Sequence, residues 1–367
     1  MVSMKLLKKN WPASILIFLL ILLILVPGCS KELPPPNEYK LTCYAASYGN
    51  GIYKSDNGGT SWFPLDADQK PIYSYYKKLY LSPLDKNTLY VTTTGAGLFT
   101  LGLHTGLLER VEQFKEENVT SVAFTDIVST KPNNMSILVG MNGNGILKAS
   151  MPAGSWQPCN NNLTYRNINV LFASDNALYA GTRKDLFRWN ETSMEWRATS
   201  NGIKNKNILS VSAEGNTMYA GSGVYEEPKG RFEHIPCLYK SVDSGRTWKG
   251  SDKGIADGTL IYTIAINHKR PERVYTGTSD GIYRSIDGGE HWSKMTAGLP
   301  DSFMVFEIKV ERMPDGKDVV YAASSSGIFM AVDDEETMWA SKSYGLEPTA
   351  ITSIVLVPEG VRNSKLN

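Results

Sequence analysis

Gly281-Ile282-Tyr283-Arg284-Ser285-Ile286-Asp287-Gly288-Gly289-Glu290-His291-Trp292 reads as a strand, a tight turn and the start of a second strand. Apolar and polar residues alternate before the turn, and two glycines supply backbone angles that other residues resist. The same frame recurs as Gly51-Ile52-Tyr53-Lys54-Ser55 ending in Trp62, and as Cys237-Leu238-Tyr239-Lys240-Ser241 ending in Trp248. Fainter copies begin at Gly97, Gly145, Asp185 and Gly327, so successive starts lie 46, 48, 40, 52, 44 and 46 residues apart. A tryptophan follows the start by eleven residues in five copies, at Trp62, Trp156, Trp196, Trp248 and Trp292. It slips by one to Trp339 in the last copy, and Leu108 replaces it in the second. A fixed inner offset within a drifting outer period is the mark of a repeated supersecondary unit with variable loops.

Outward from this hairpin, each unit adds two more strands. An alternating or apolar run comes first (strand A: residues 167–172, 208–212, 260–266 and 305–310), then a turn rich in Asp, Asn, Gly and Pro. Strand B carries a recurring tyrosine (Tyr44, Tyr90, Tyr179, Tyr219, Tyr275 and Tyr321, with Leu138 in the third copy), followed by small residues. Strand C is the quoted segment, and strand D lies near the tryptophan. No stretch sustains a helical apolar period, so the chain is predicted to be all-β. Four strands in each of seven units predict a seven-bladed β-propeller. Residues 40–64 supply only strands B, C and D, whereas 350–358 supply a lone strand A. The expected solution is a first blade closed by the C-terminal strand, with 350–358 beside 40–47, which removes two open sheet edges. The domain plan is then an N-terminal targeting segment (1–29), a Pro-rich linker (30–39), the propeller (40–358) and a tail (359–367).

Composition narrows the function classes. Formal net charge is +1, from 38 basic and 37 acidic residues, which gives no general attraction to nucleic acid. Cys29, Cys43, Cys159 and Cys237 show no metal-ligand spacing; Cys43 and Cys237 fall in strand patterns and Cys159 in a loop. There is no phosphate loop, zinc pattern or serine elbow, and neither a cofactor nor a metal is expected.

At the N-terminus, Lys5, Lys8 and Lys9 precede an uncharged apolar run over residues 13–26, which ends in Val26-Pro27-Gly28-Cys29. The last four residues resemble the lipobox of bacterial lipoproteins, in which the cysteine is lipidated, and Pro27 departs from that pattern. The resemblance implies lipidation at Cys29; an uncleaved anchor is the alternative, the run being short of the ~20 apolar residues of a spanning helix. Either way, the propeller is expected to be membrane-tethered on the extracytoplasmic side of a bacterial membrane, because the lysines stay inside.

The turns themselves resemble a known family. Ser241, Asp243, Gly245 and Trp248, and Ser285, Asp287, Gly289 and Trp292, match the Asp-box, or BNR repeat, of sialidase-like propellers. Ser55, Asn57, Gly59 and Trp62 match with Asn for Asp, and the last copy keeps Asp333 but has Glu335 in place of the glycine. Physically the box is a structural device: Ser and Asp oxygens accept from turn amides, and one carboxylate per turn is too few ligands for calcium. The resemblance implies that the boxes face away from the ligand site. The chain also looks like propellers of the photosystem II stability and assembly factor type, which implies a protein-interaction or assembly platform. A glycan-binding module and a glycoside hydrolase are the alternatives.

In this topology the B–C turns and D-to-A links share the other rim, where propellers usually place ligands. The fifth B–C turn is enlarged by residues 223–236, and insertions in arrays tend to mark the binding face. Arg166, Arg183, Lys184, Lys204, Lys206, Lys229 and Arg231 collect near it, with Tyr225, Phe232 and His234 offering aromatic contacts. These residues are the candidate binding face for another extracytoplasmic protein or a glycan; the alternative is a chance scatter of basic residues. No catalytic residue is assigned, since Glu226 and Glu227 are adjacent and expected to point apart, and no Arg-Ile-Pro signature occurs near the N-terminus.

Overall fold

The computed structural model describes residues 40–65, 75–128, 135–152, 154–174, 177–224, 234–335 and 337–359. These hold 28 strands, arranged as seven four-stranded antiparallel sheets, and one short 3₁₀ turn at Glu112–Phe114. The protein is therefore a seven-bladed β-propeller. Within each blade the order is A-B-C-D. Strands A face the axis: Tyr76–Leu81, Val119–Thr125, Ile168–Ser174, Ile208–Glu214, Ile261–Ile266 and Val305–Arg312 in blades 2 to 7. Strands D lie outermost and are short, as in Phe63–Pro64 and Lys249–Gly250. Short outer strands leave little open edge for unwanted pairing.

Blade 1 is completed across the chain ends. Its strand A is Ile351–Glu359, paired antiparallel with its strand B, Lys40–Ser47, from Lys40 opposite Glu359 to Ser47 opposite Ile351. Glu359, placed in the tail by the sequence reading, belongs to this strand.

The recurring side chains hold blade to blade. The strand B tyrosine donates its hydroxyl to the C–D turn of the next blade: Tyr179 to Ser244 O at 3.0 Å, Tyr219 to Gly288 O at 2.6 Å, and Tyr321 to Gly58 O at 2.9 Å. The indole N–H reaches the opposite way, into the preceding blade: Trp248 to Thr199 O at 2.7 Å, Trp292 to Ser251 O at 2.6 Å, and Trp62 to Lys342 O at 2.7 Å. Each such buried aromatic combines a large apolar area with one satisfied polar end. Tyr321 and Trp62 make both contacts between blades 7 and 1, so the seam is built like the junctions of blade 5 with blades 4 and 6. A further regularity sits six residues after the tryptophan. Gly202, Gly254, Gly298 and Gly345 follow Trp196, Trp248, Trp292 and Trp339, and Asn162 follows Trp156. At Gly254 a Cβ would collide with the carbonyl of Trp292, and its φ is +100°. The link between blades thus needs glycine for both space and angle.

Cys43, Cys159 and Cys237 are buried free thiols, pushed up by burial to about 12, 11 and 12. Cys237 precedes its strand, Leu238–Ser241, rather than lying in it.

Candidate functional site

The rim carrying the A–B and C–D turns spends its charge on structure. In blade 6, Ser285 Oγ donates to Asp287 Oδ1 (2.9 Å) and accepts from the Gly289 N–H (2.7 Å), while Asp287 Oδ1 accepts from the His291 N–H (2.9 Å). Gly289 has φ +88°, and a Cβ there would meet the Tyr219 ring of the preceding blade. Burial pushes the Asp287 carboxyl up, but bonds from His291 and Ser285 outweigh it and hold it at about 2. Blade 5 repeats the pattern: Thr247 and Ser241 bind Asp243 and hold it at about 2. In blade 1, Asn57 Oδ1 accepts from the Ser55 hydroxyl and the Ser61 N–H at 2.9 and 3.0 Å.

Blade 7 uses the same position differently. Asp333 is buried and accepts from Arg273 Nη1 (2.7 Å), Arg270 Nη2 (3.0 Å), Asn267 Nδ2 (2.9 Å) and Tyr275 Oη (2.6 Å), all from blade 6. Asp318 completes the network with Arg270 and Arg312, both at 2.8 Å. Without the turn glycine, the carboxylate leaves its own loop and becomes a cross-blade ion lock.

The axial channel is shaped by a repeated irregularity. In every blade the A–B register shifts near the start of strand A, between Ala46 and Ser47 in the pairing of blade 1 and at Tyr76/Lys78, Val119/Ser121, Ile168/Val170, Ile208/Ser210, Ile261/Thr263 and Val305/Glu307 in the others. Such bulges re-aim a side chain. Within the channel, Glu307 is buried and accepts from the Ser353 hydroxyl and, at 2.9 Å, from the Ile354 N–H of the closing strand. Lys309 and Lys78 face it at 3.1 and 3.5 Å. Burial alone would raise its carboxyl; the two lysines and the two hydrogen bonds hold it at about 2. For Lys78 the balance runs the other way, and burial lowers its ammonium below the usual range despite Glu307.

The opposite rim, with the B–C turns and D-to-A links, carries a cleft of about 800 Å³. It is lined by Arg166 from the link into blade 4, Arg183 and Lys184 from the B–C turn of blade 4, and Lys204 and Lys206 from the link into blade 5. All five side chains are exposed. Lys206 meets Asp185 at 3.5 Å, and Lys184 lies 6.0 Å from the Tyr165 ring centre. An amide ladder fixes the walls: Asn169 Nδ2 donates to Asn207 Oδ1 (3.1 Å), Asn207 Nδ2 to Val224 O (3.2 Å) and Asn205 Nδ2 to Gly223 O (2.9 Å). Positive groups from three consecutive structural segments therefore surround one rigid-walled space, which attracts anions and concentrates field lines.

The structure thus brings together Arg166, Arg183, Lys204 and Lys206. His234 stands apart, on a neighbouring cleft with Asp257, where its Nδ1 meets Asp257 at 3.0 Å and its Nε2 meets Asp252 at 3.2 Å. Tyr225, Lys229 and Arg231 lie outside the described residues, as do Glu226, Glu227, Phe232 and Cys29 with the whole N-terminal segment. No carboxylate is among the described residues lining the cationic cleft. Among the described residues no helix is long and apolar enough to cross a membrane, and no group of three or more His, Cys, Asp or Glu side chains could hold a metal ion.

No protein-family model and no curated protein matches the chain. Solved structures do. The extracellular domain of the two-component system BT4673 from B. thetaiotaomicron superposes with a TM-score of 0.56 at 12% identity, over 87% of this chain and 49% of that one. A GH74 xyloglucanase from Xanthomonas campestris gives 0.61 at 16% identity, over 85% and 54%. YCF48 from Cyanidioschyzon merolae gives 0.52 at 13% identity, over 74% and 85%. The chain spans about half the length of the first two structures. At these identities the likeness is one of fold, and it places the protein among the β-propellers.

Proposed function

We propose that the protein is a binding platform, held on the extracytoplasmic side of a membrane by its N-terminal segment, which receives an acidic region of another protein in the cationic cleft. The reading is carried by one observation: five exposed cations from adjoining links and turns of blades 4 and 5 line the same cleft. Fold likeness to an extracellular domain supports the setting, and the Ser-Asp-Gly-Trp turns support kinship with BNR-repeat propellers. Catalysis forms no part of the reading.

The test is cross-linking and pull-down from the protein's own membrane with wild type and with Arg166→Glu/Arg183→Glu. The partner held by wild type should be lost by the variant, with affinity at least about tenfold weaker and steeply salt-dependent. Stability should stay within about 0.5 kcal/mol, because both residues are surface groups. Capture of the same proteins by both forms would refute the proposal.

A further inference from the structure

A second feature of the same rim lies on the other side of the ring, at the junctions of blade 1 with its neighbours. Tyr48, in the B–C turn of blade 1, and Tyr75, at the end of the link into blade 2, are exposed at 53% and 47%. Their rings lie 4.7 Å apart at 42°. Most aromatic residues of the repeat frame are buried, so a paired exposed aromatic surface is exceptional here. It is also held in place by hydrogen bonds that tie four segments together. Tyr48 and Tyr75 form an isolated antiparallel bridge, the Tyr48 N–H donates to Ala350 O at 2.8 Å, the Thr349 hydroxyl donates to Tyr48 O at 2.8 Å, and the Thr94 N–H donates to Tyr75 O at 3.1 Å. A platform ordered in advance loses little freedom when a ligand lands on it.

Thr349 also joins this pair to a cleft of about 480 Å³ between the B–C turn of blade 7 and the link into blade 1. Ser325 and Ser326 offer hydroxyls there, whereas those of Thr349 and Ser343 are engaged with Tyr48 O and Ile328; Glu347 is the one charged group, and no cation is present, among the described lining residues. The charge is thus opposite in sign to that of the cationic cleft and disfavours an anionic ligand. Exposed ring faces attract the weakly positive C–H faces of a sugar ring, while hydroxyls and a carboxylate suit its O–H groups. We propose that Tyr48 and Tyr75, with the adjoining Glu347 cleft, form a stacking subsite for a neutral oligosaccharide. This site is independent of the acidic-partner reading of the cationic cleft.

The experiment is calorimetric titration of the full-length protein in detergent with cellohexaose, xylohexaose and mannohexaose, each up to about 10 mM. At least one hexaose is expected to bind. Tyr48→Ala and Tyr75→Ala should each weaken it about fivefold or more, whereas Tyr48→Phe should retain it because the ring face remains. Arg166→Glu/Arg183→Glu should leave it unchanged, which separates this site from the cationic cleft. The proposal is overturned if no hexaose binds, if binding ignores both alanine variants while their melting curves stay native, or if a proline-rich peptide binds the tyrosines and the hexaoses do not.

Discussion

The two rims of this propeller treat charge in opposite ways. On the rim of the A–B and C–D turns, carboxylates are consumed locally. Asp243 and Asp287 accept from their own turns, and Asp333 and Asp318 neutralise arginines of blades 6 and 7. On the rim of the B–C turns, Arg166 and Arg183 stand exposed around a cleft. The lesson is that a repeat can fix charge in the turns where its box persists and release it where the loops vary. The first rim is where mutation should cost stability, and the second is where it should cost binding.

The sharpest way to break that comparison is Asp333→Ala. It leaves Arg273 without its buried carboxylate and Arg270 with Asp318 alone, and breaking such a lock costs about 3–5 kcal/mol. Urea denaturation should show that loss, with partner capture at the cationic cleft intact; a loss below about 1 kcal/mol would make the network dispensable. Acid titration comes next. Glu307 and Asp287 are both held at about 2, below their unfolded values of about 4.3 and 3.9. A depressed carboxyl contributes stability that is present above its unfolded pKa and lost as pH falls through the folded one. Stability should therefore decline from about pH 4.5 toward pH 2, and Glu307→Gln should flatten that slope at the expense of stability at pH 7. An unaltered slope would remove Glu307 from the account. The smallest effects sharpen rather than break the contrast. Asp287→Ala should cost about 1 kcal/mol, as loss of a turn cap does, and Tyr219→Phe a similar amount for its bond to Gly288. Thermal melts resolve both, and neither should change ligand binding.

Much of the architecture was legible in the residues. The period, the tryptophan offset and the split first blade together specify seven closed blades, since each is a local pattern repeated along the chain. Of the candidate site, Arg166, Arg183, Lys204 and Lys206 could be named because links and B–C turns share a rim in any such blade. His234 lines the neighbouring cleft rather than the cationic one, because proximity in sequence does not say which neighbouring loop supplies Asp252 and Asp257. The glycine six residues after four of the tryptophans is visible in the sequence, but its meaning depends on a carbonyl in the next blade. Glu307 reads as an ordinary polar position of an alternating strand. Only the strand A bulge and the arrival of Ser353 from the far end of the chain reveal its burial. Asp333 likewise reads as an eroded copy of the box, although its loss of the glycine coincides with a different set of partners.

The pairing of Lys40–Ser47 with Ile351–Glu359 has a consequence for biogenesis. A ribosome delivers Lys40–Ser47 well before Ile351–Glu359, so blades 2 to 7 can assemble while blade 1 still waits for its inner strand. During that interval the strand holding Cys43 and Ala45 presents a bare hydrogen-bonding edge. Closure of the ring is accordingly gated by synthesis of Ile351–Glu359, and a holdase that shields Lys40–Ser47 until then would raise the yield of closed rings.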